Sequence, residues 1–115
     1  MARYRLSGPA KADIAAILKT SQEQHGDQAR IRYRALLTAA LRRIVKNPSG
    51  ASTCDRAELL PGIRSFHIRH SRGDSSEAPV ANAVHVIFYR VADGDIIDIV
   101  RVLHERMEPR RHIGD

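Results

Sequence analysis

The sequence predicts an α+β domain in which an N-terminal strand and an α-helical hairpin pack on a small antiparallel β-sheet, in the order β-α-α-β-β-β. Three observations lead there. Two successive segments carry apolar residues at helical spacing, three later segments are rich in β-branched and aromatic residues, and an Asp-Gly pair joins the last two of these. At 115 residues the chain is read as one domain over 1–115, large enough for a single modest core.

Tyr4 to Ser7 alternates as a short strand. Ser7-Gly8-Pro9 then combines an N-cap with a proline at the first helical turn, so a helix starts there. Ile14, Ile17 and Leu18 form its apolar stripe, and His25-Gly26 ends it. Asp27 caps a second helix with Tyr33, Leu37, Ala40, Leu41 and Ile44 as its stripe, stopped by Asn47-Pro48. With only about three residues between them, the helices form an antiparallel hairpin. From Pro48 to Pro61 small and turn-forming residues predict a crossing with little regular structure. Strands are expected over Ile63–His70, Val84–Val91 and Ile96–Leu103, the last two joined through Ala92-Asp93-Gly94-Asp95. The 70–83 stretch is long for a hairpin connection and reads as a mobile excursion.

One face of the sheet is covered by the helices. Val84–Tyr89 and Ile96–Val100 nevertheless carry apolar side chains on both faces, whereas a half-exposed antiparallel strand alternates apolar with polar. The second face therefore needs a cover, and another polypeptide is the economical one; the alternative is closure by the 70–83 loop and the C-terminal tail.

Hydrophobic residues at 43% and charged residues at 28% place the chain among folding sequences rather than disordered ones. Lys plus Arg number 19 against 13 Asp plus Glu, and the net charge of +6 makes the natural partner acidic: nucleic acid, a ribonucleoprotein or an acidic polypeptide. Aromatic residues at 4%, with no Trp, leave few rings for the stacking platforms of single-strand binders. The single cysteine, Cys54, has no thiol partner for a disulfide, a CxxC redox pair or a zinc site, and a reducing compartment is expected. MARYRLSGPAKADI has no apolar stretch of signal-peptide length, and no run approaches the roughly 20 residues of a bilayer span, so the expectation is a cytoplasmic protein with no membrane contact.

Arginines dominate the candidate site. Arg101, Arg106, Arg110 and Arg111 lie near the C terminus, and Arg64, Arg69 and Arg90 on expected strands, where bidentate guanidinium forks suit phosphate or carboxylate oxygens. The bland reading of each is a solvated basic surface. Histidines are the next candidates, as groups that shuttle protons near neutral pH. His67 and His70 point to opposite faces of an expected strand, which rules out a shared zinc. His104 and His112, in an Arg-rich setting, are readable either as a metal-free acid–base pair for RNA cleavage or as a strand cap and a packing group. Cys54 lacks a Cys/His signature, and the glycine spacing fits neither a P-loop nor a dinucleotide fingerprint, so no nucleotide cofactor is expected.

Taken in order, YRLSGPAKADIAAI (4–17), ELLPGIRSF (58–66), HVIFYRV (85–91) with its Asp-Gly turn, and IVRVLHERMEPRRHI (99–113) resemble the ParE branch of the RelE/ParE toxin superfamily over nearly the whole chain. The resemblance implies the fold given above and a type II toxin without cofactor or metal, neutralised by a ParD-like antitoxin that wraps an acidic, partly disordered segment over it. It implies DNA gyrase as target, inhibited by direct binding with no substrate turned over, and DNA contact only through the antitoxin complex. The rival within the superfamily is a RelE-like ribosome-dependent mRNA endonuclease. Against it, the tail after Leu103 has no tyrosine and lysines occur only at positions 11, 19 and 46; for it, His104 or His112 supplies an acid. Gly8 between Ser7 and Pro9, and the long 70–83 loop, depart from the usual pattern. Carried over residue by residue, the resemblance makes Arg64, Arg90, Arg101, His104, Arg106 and His112 the target-binding candidates; for a nuclease, Arg64, Arg90, Arg101, His104 and His112 would be catalytic. The antitoxin is expected on the hairpin helices and the apolar sheet positions, at Tyr33, Leu37, Val86, Phe88 and Ile99.

Overall fold

The computed structural model describes residues 3–113. Strand β1 (Arg3–Leu6) is followed by helices α1 (Gly8–His25) and α2 (Asp27–Lys46), then β2 (Thr53–Asp55), β3 (Arg64–His67), β4 (His85–Val91) and β5 (Ile96–His104). Ser7 is the N-cap of α1: its Oγ accepts the Ala10 N–H at 3.0 Å, and its hydroxyl donates to the Val100 carbonyl at 2.8 Å, so the cap also ties the helix to β5. Gly26 alone separates the helices. Its φ of +89° suits glycine, and its N–H closes α1 on the Gln22 carbonyl at 2.9 Å.

The sheet has the order β1-β5-β4-β3-β2. It is mixed rather than purely antiparallel, because β1 runs parallel to β5 with Arg3 opposite Ile96 and Leu6 opposite Ile99. The hairpin returns the chain across one face before the remaining strands are laid down, and the first and last strands become neighbours by topology without any local turn to announce it. Strand β2, in the stretch expected to lack regular structure, pairs with β3 through Thr53 opposite Phe66; three residues are too few for periodicity to reveal. The strand expected over Ile63–His70 is confined to Arg64–His67. At its end His67 Nδ1 accepts the Arg69 N–H at 3.1 Å and starts a 3₁₀ turn over Ile68–Asp74. Gly94, at φ +72°, supplies the turn between β4 and β5.

The principal core lies between the helices and the sheet. It is built by Leu18 of α1, Tyr33, Leu36, Leu37, Ala40, Leu41 and Ile44 of α2, and Phe66, Ile68, Ile87, Tyr89, Ile97, Ile99 and Val102. Leu36, outside the stripe read from sequence, is fully buried because α1 and the 68–74 turn cover the flank of α2 that a single stripe leaves open. A register shift between Phe88 and Tyr89 resets the alternation, so that Ile99 and Val102 both belong to this side.

On the second face, Phe88 and Leu103 are buried with Ile63 and Ile113, and Leu59, Leu60, Val86 and Val100 pack around them. Of the two expected covers, closure by the chain's own segments is the one seen on this face, with the C-terminal tail as expected and the 56–63 segment in place of the 70–83 loop. The chain closes that face itself, with the 56–63 segment on one side and the C-terminal turn around Ile113 on the other, while Arg56 lies over the Phe88 ring at 5.6 Å. The 70–83 stretch serves the opposite side, where Val80 and Ala83 pack against the helix-side core.

Candidate functional site

Arg64, Arg90 and Arg101 stand at neighbouring register positions on β3, β4 and β5, but each is engaged with a different partner. Arg64 extends from β3 toward the end of α2, its Nε donating to the Pro48 carbonyl at 3.1 Å and its Nη2 to Thr53 Oγ1 at 2.7 Å; the Tyr89 hydroxyl donates to the same carbonyl at 2.6 Å. Arg101 donates through Nε and Nη2 to both carboxylate oxygens of Asp13 on α1, at 2.8 and 2.9 Å, and through Nη1 to the His112 carbonyl at 3.3 Å. Asp13 also accepts the Val102 N–H at 2.9 Å, so this half-buried ion pair holds α1, β5 and the C-terminal turn together. Arg90 stands on the exposed side of β4, 3.9 Å from Asp98, whose carboxylate is also bound by Arg5; that contact with Arg5 holds the Asp98 carboxyl below its usual range. Arg106 is exposed, with no side-chain partner among the described residues. His112 is exposed and meets Arg101 through its backbone carbonyl, not its ring.

The positions named for a protein partner are mostly interior. Leu37 and Ile99 lie in the helix-side core and Phe88 in the second-face cluster, each under 4% exposed, so none of the three offers surface to a partner. Their apolar character marks burial by the chain's own segments. Val86 is half-buried on the second face. Tyr33 lines an open cavity.

That cavity is a groove of about 700 Å³ along the C-terminal half of α1, bounded by the start of α2, the 79–84 segment and the ends of β4 and β5. Ile17, Val80, Val84 and Met107 give it an apolar lining, and Met107 is 47% exposed. Its polar lining includes Tyr33, His85 and His104, with Thr20, Ser21, Gln24, His25, Arg32 and Asn82 around them; among the described residues no carboxylate lines it. Burial pushes the Tyr33 phenol up to about 12. Burial, and next the charge on His104, push His85 down to about 4, so at neutral pH the phenol is protonated and the His85 imidazole neutral.

Sequence reading missed this groove. In the sequence His85 is marked only as a strand residue, and nothing local connects positions 33, 85 and 104. Among the described residues no group of three or more His, Cys, Asp or Glu side chains is placed to hold a metal ion, and no helix is long and apolar enough to cross a membrane.

The comparisons agree with one another. The family model described as the ParE toxin of the type II toxin-antitoxin system parDE matches residues 4–109. Toxin ParE1 of Mycobacterium tuberculosis is 33% identical over 111 residues, covering 96% of this chain and 97% of that protein. Toxin ParE1 of Caulobacter vibrioides is 34% identical over 114 residues, 99% of this chain and 100% of that protein. A solved structure described as the chromosomal ParDE TA system from P. aeruginosa superposes with a TM-score of 0.60 at 16% identity, over 90% of this chain and 95% of that one, a likeness of fold.

Proposed function

This chain belongs to the ParE toxin family of type II toxin-antitoxin systems, and from that membership we propose that it halts growth by binding DNA gyrase in the cytoplasm and is silenced by a ParD-like antitoxin. It acts by occupying its target, without turning over a substrate.

The observation that favours binding over the RelE-like endonuclease is the state of the candidate arginines. Arg64 and Arg101 are spent on carbonyl, hydroxyl and carboxylate groups of the chain itself, and Arg90 faces away from the helix side beside Asp98. Phosphoryl chemistry needs cations and an acid free to converge on one scissile group, and these guanidinium groups, though on adjacent strands, are each held by a separate partner within the chain. The net charge of +6 suits an acidic antitoxin segment, and DNA meets the toxin only through that complex.

Induced expression in a bacterial host tests this reading. The expected result is growth arrest with gyrase-linked chromosome breaks and intact mRNA, relieved by co-expressing the short antitoxin gene from the neighbouring reading frame. Cleaved mRNA with an unbroken chromosome would overturn it in favour of the endonuclease.

A further inference from the structure

One side of the groove carries two imidazoles whose protons are placed by their neighbours. His85 and His104 are directly opposed across β4 and β5, with ring centroids 5.5 Å apart. Tyr33 Oη accepts the Val84 N–H at 3.3 Å and lies 2.5 Å from His85 Nδ1; with the protonated phenol assigned as donor there, the His85 proton is on Nε2. His104 Nδ1 accepts the Arg106 N–H at 3.1 Å, and its proton is on Nε2 as well. Among the described residues neither Nε2 has a protein partner, and neither is sealed from solvent, since the one buried side-chain polar atom without a partner is Ser71 Oγ. The nearby carboxylates are already engaged, Glu105 by His67 at 2.6 Å and Asp13 by Arg101. Both imidazoles therefore stand at a largely apolar groove whose lining, among the described residues, includes Arg32 and no acid.

We infer that the His85–His104 pair is an anchor for a carboxylate, the side chain of an Asp or Glu presented by an amphipathic helix of a partner polypeptide whose apolar face fills the groove. The charge decides for an acid: an ionised acceptor strengthens both hydrogen bonds, and Arg32 in the lining, with the chain's net charge of +6, favours a negative charge over a positive one. The shape decides for a helix, because the groove runs beside α1 and has room for several apolar side chains on Ile17, Val80, Val84 and Met107. Tyr33 is a positioning residue, since it fixes which nitrogen of His85 faces the occupant. The inference leans on the toxin-antitoxin reading only for where such a helix comes from.

The test uses the full chain and a fluorescein-labelled, stapled Leu/Ala helix with one central Glu on its apolar face, together with its Gln and Lys twins, titrated by anisotropy. The Glu helix is expected to bind about tenfold tighter than the Gln helix, with the Lys helix weakest. His104→Gln is expected to shrink the Glu preference, read as the ratio of the two helices' affinities, to about twofold. In the unsubstituted chain, which avoids any question of folding, the ¹⁵N signals of both Nε2 atoms are expected to move with the Glu helix and not with the Gln helix. Equal affinities for Glu and Gln, no binding of any of the three, a preference that survives His104→Gln, or unmoved ring signals would overturn the inference. Such a failure leaves growth arrest and its relief untouched, and loss of growth arrest leaves the peptide result standing, so the two readings fail separately.

Discussion

Arg101 grips Asp13 with two hydrogen bonds across 88 positions of sequence, and that distance explains why it reads as a free cation until the fold is known. Removing it strands a half-buried carboxylate and frees the C-terminal turn, so Arg101→Ala is expected to lower unfolding stability by about 1–3 kcal/mol in urea titrations, against less than about 0.5 kcal/mol for exposed Arg106→Ala. A loss of toxicity in Arg101→Ala is therefore expected to track its folded fraction, and a loss in Arg106→Ala to arise with the fold intact. His85 makes a pH prediction. Its ordinary value of 6.5 falls to about 4 in the fold, so the unfolded chain takes up a proton over that interval and the folded chain does not. Stability is expected to fall as pH drops from about 6.5 to about 4, by about 1–2 kcal/mol once partial exposure is allowed for. The groups facing His85 are Tyr33, Asp13, His67, His104 and Glu105, and His85→Gln, measured beside the parent by denaturant titration at each pH, should flatten this part of the curve.

The helices were legible because their boundaries are written locally. Ser7, Pro9, Gly26 and Asn47-Pro48 are cap and stop signals that act within one turn, and the structure uses Ser7 and Gly26 as read. Gly26→Ala places a β-carbon at φ +89° and is expected to cost about 1–2 kcal/mol; Ser7→Ala removes a cap bond and the tie to Val100, at about 1 kcal/mol or somewhat more. Thermal unfolding monitored by circular dichroism measures both. The sheet was legible only in part. β4 and β5 announce themselves by composition and an Asp-Gly turn, but the parallel pairing of β1 and the three-residue β2 depend on partners far along the chain. β3 stops at His67 because that side chain caps the following turn, a role its residue type shares with many histidines that do nothing of the kind.

At the scale of the molecule, apolar residues on both faces of the sheet correctly signalled a second layer, whose source is half the expected alternative: the C-terminal tail contributes, and the 56–63 segment stands where the 70–83 loop was expected. The 56–63 segment and Ile113 close it, from stretches too short and turn-rich to show a pattern. Ile113→Ala is expected to cost about 2–4 kcal/mol and to raise dye binding at Phe88 and Leu103. What remains open is the groove beside α1, assembled from both helices, a loop and two strand ends. The family assignment was reachable from short motifs, whereas the groove needed the whole fold. The proposed action of this toxin is occupancy of its target. Purified chain titrated into a gyrase supercoiling reaction tests that most directly: inhibition should be complete near one toxin per target site and should scale with gyrase concentration. Supercoiling untouched at large excess, alongside mRNA cut in many turnovers per toxin on translating ribosomes, would contradict it.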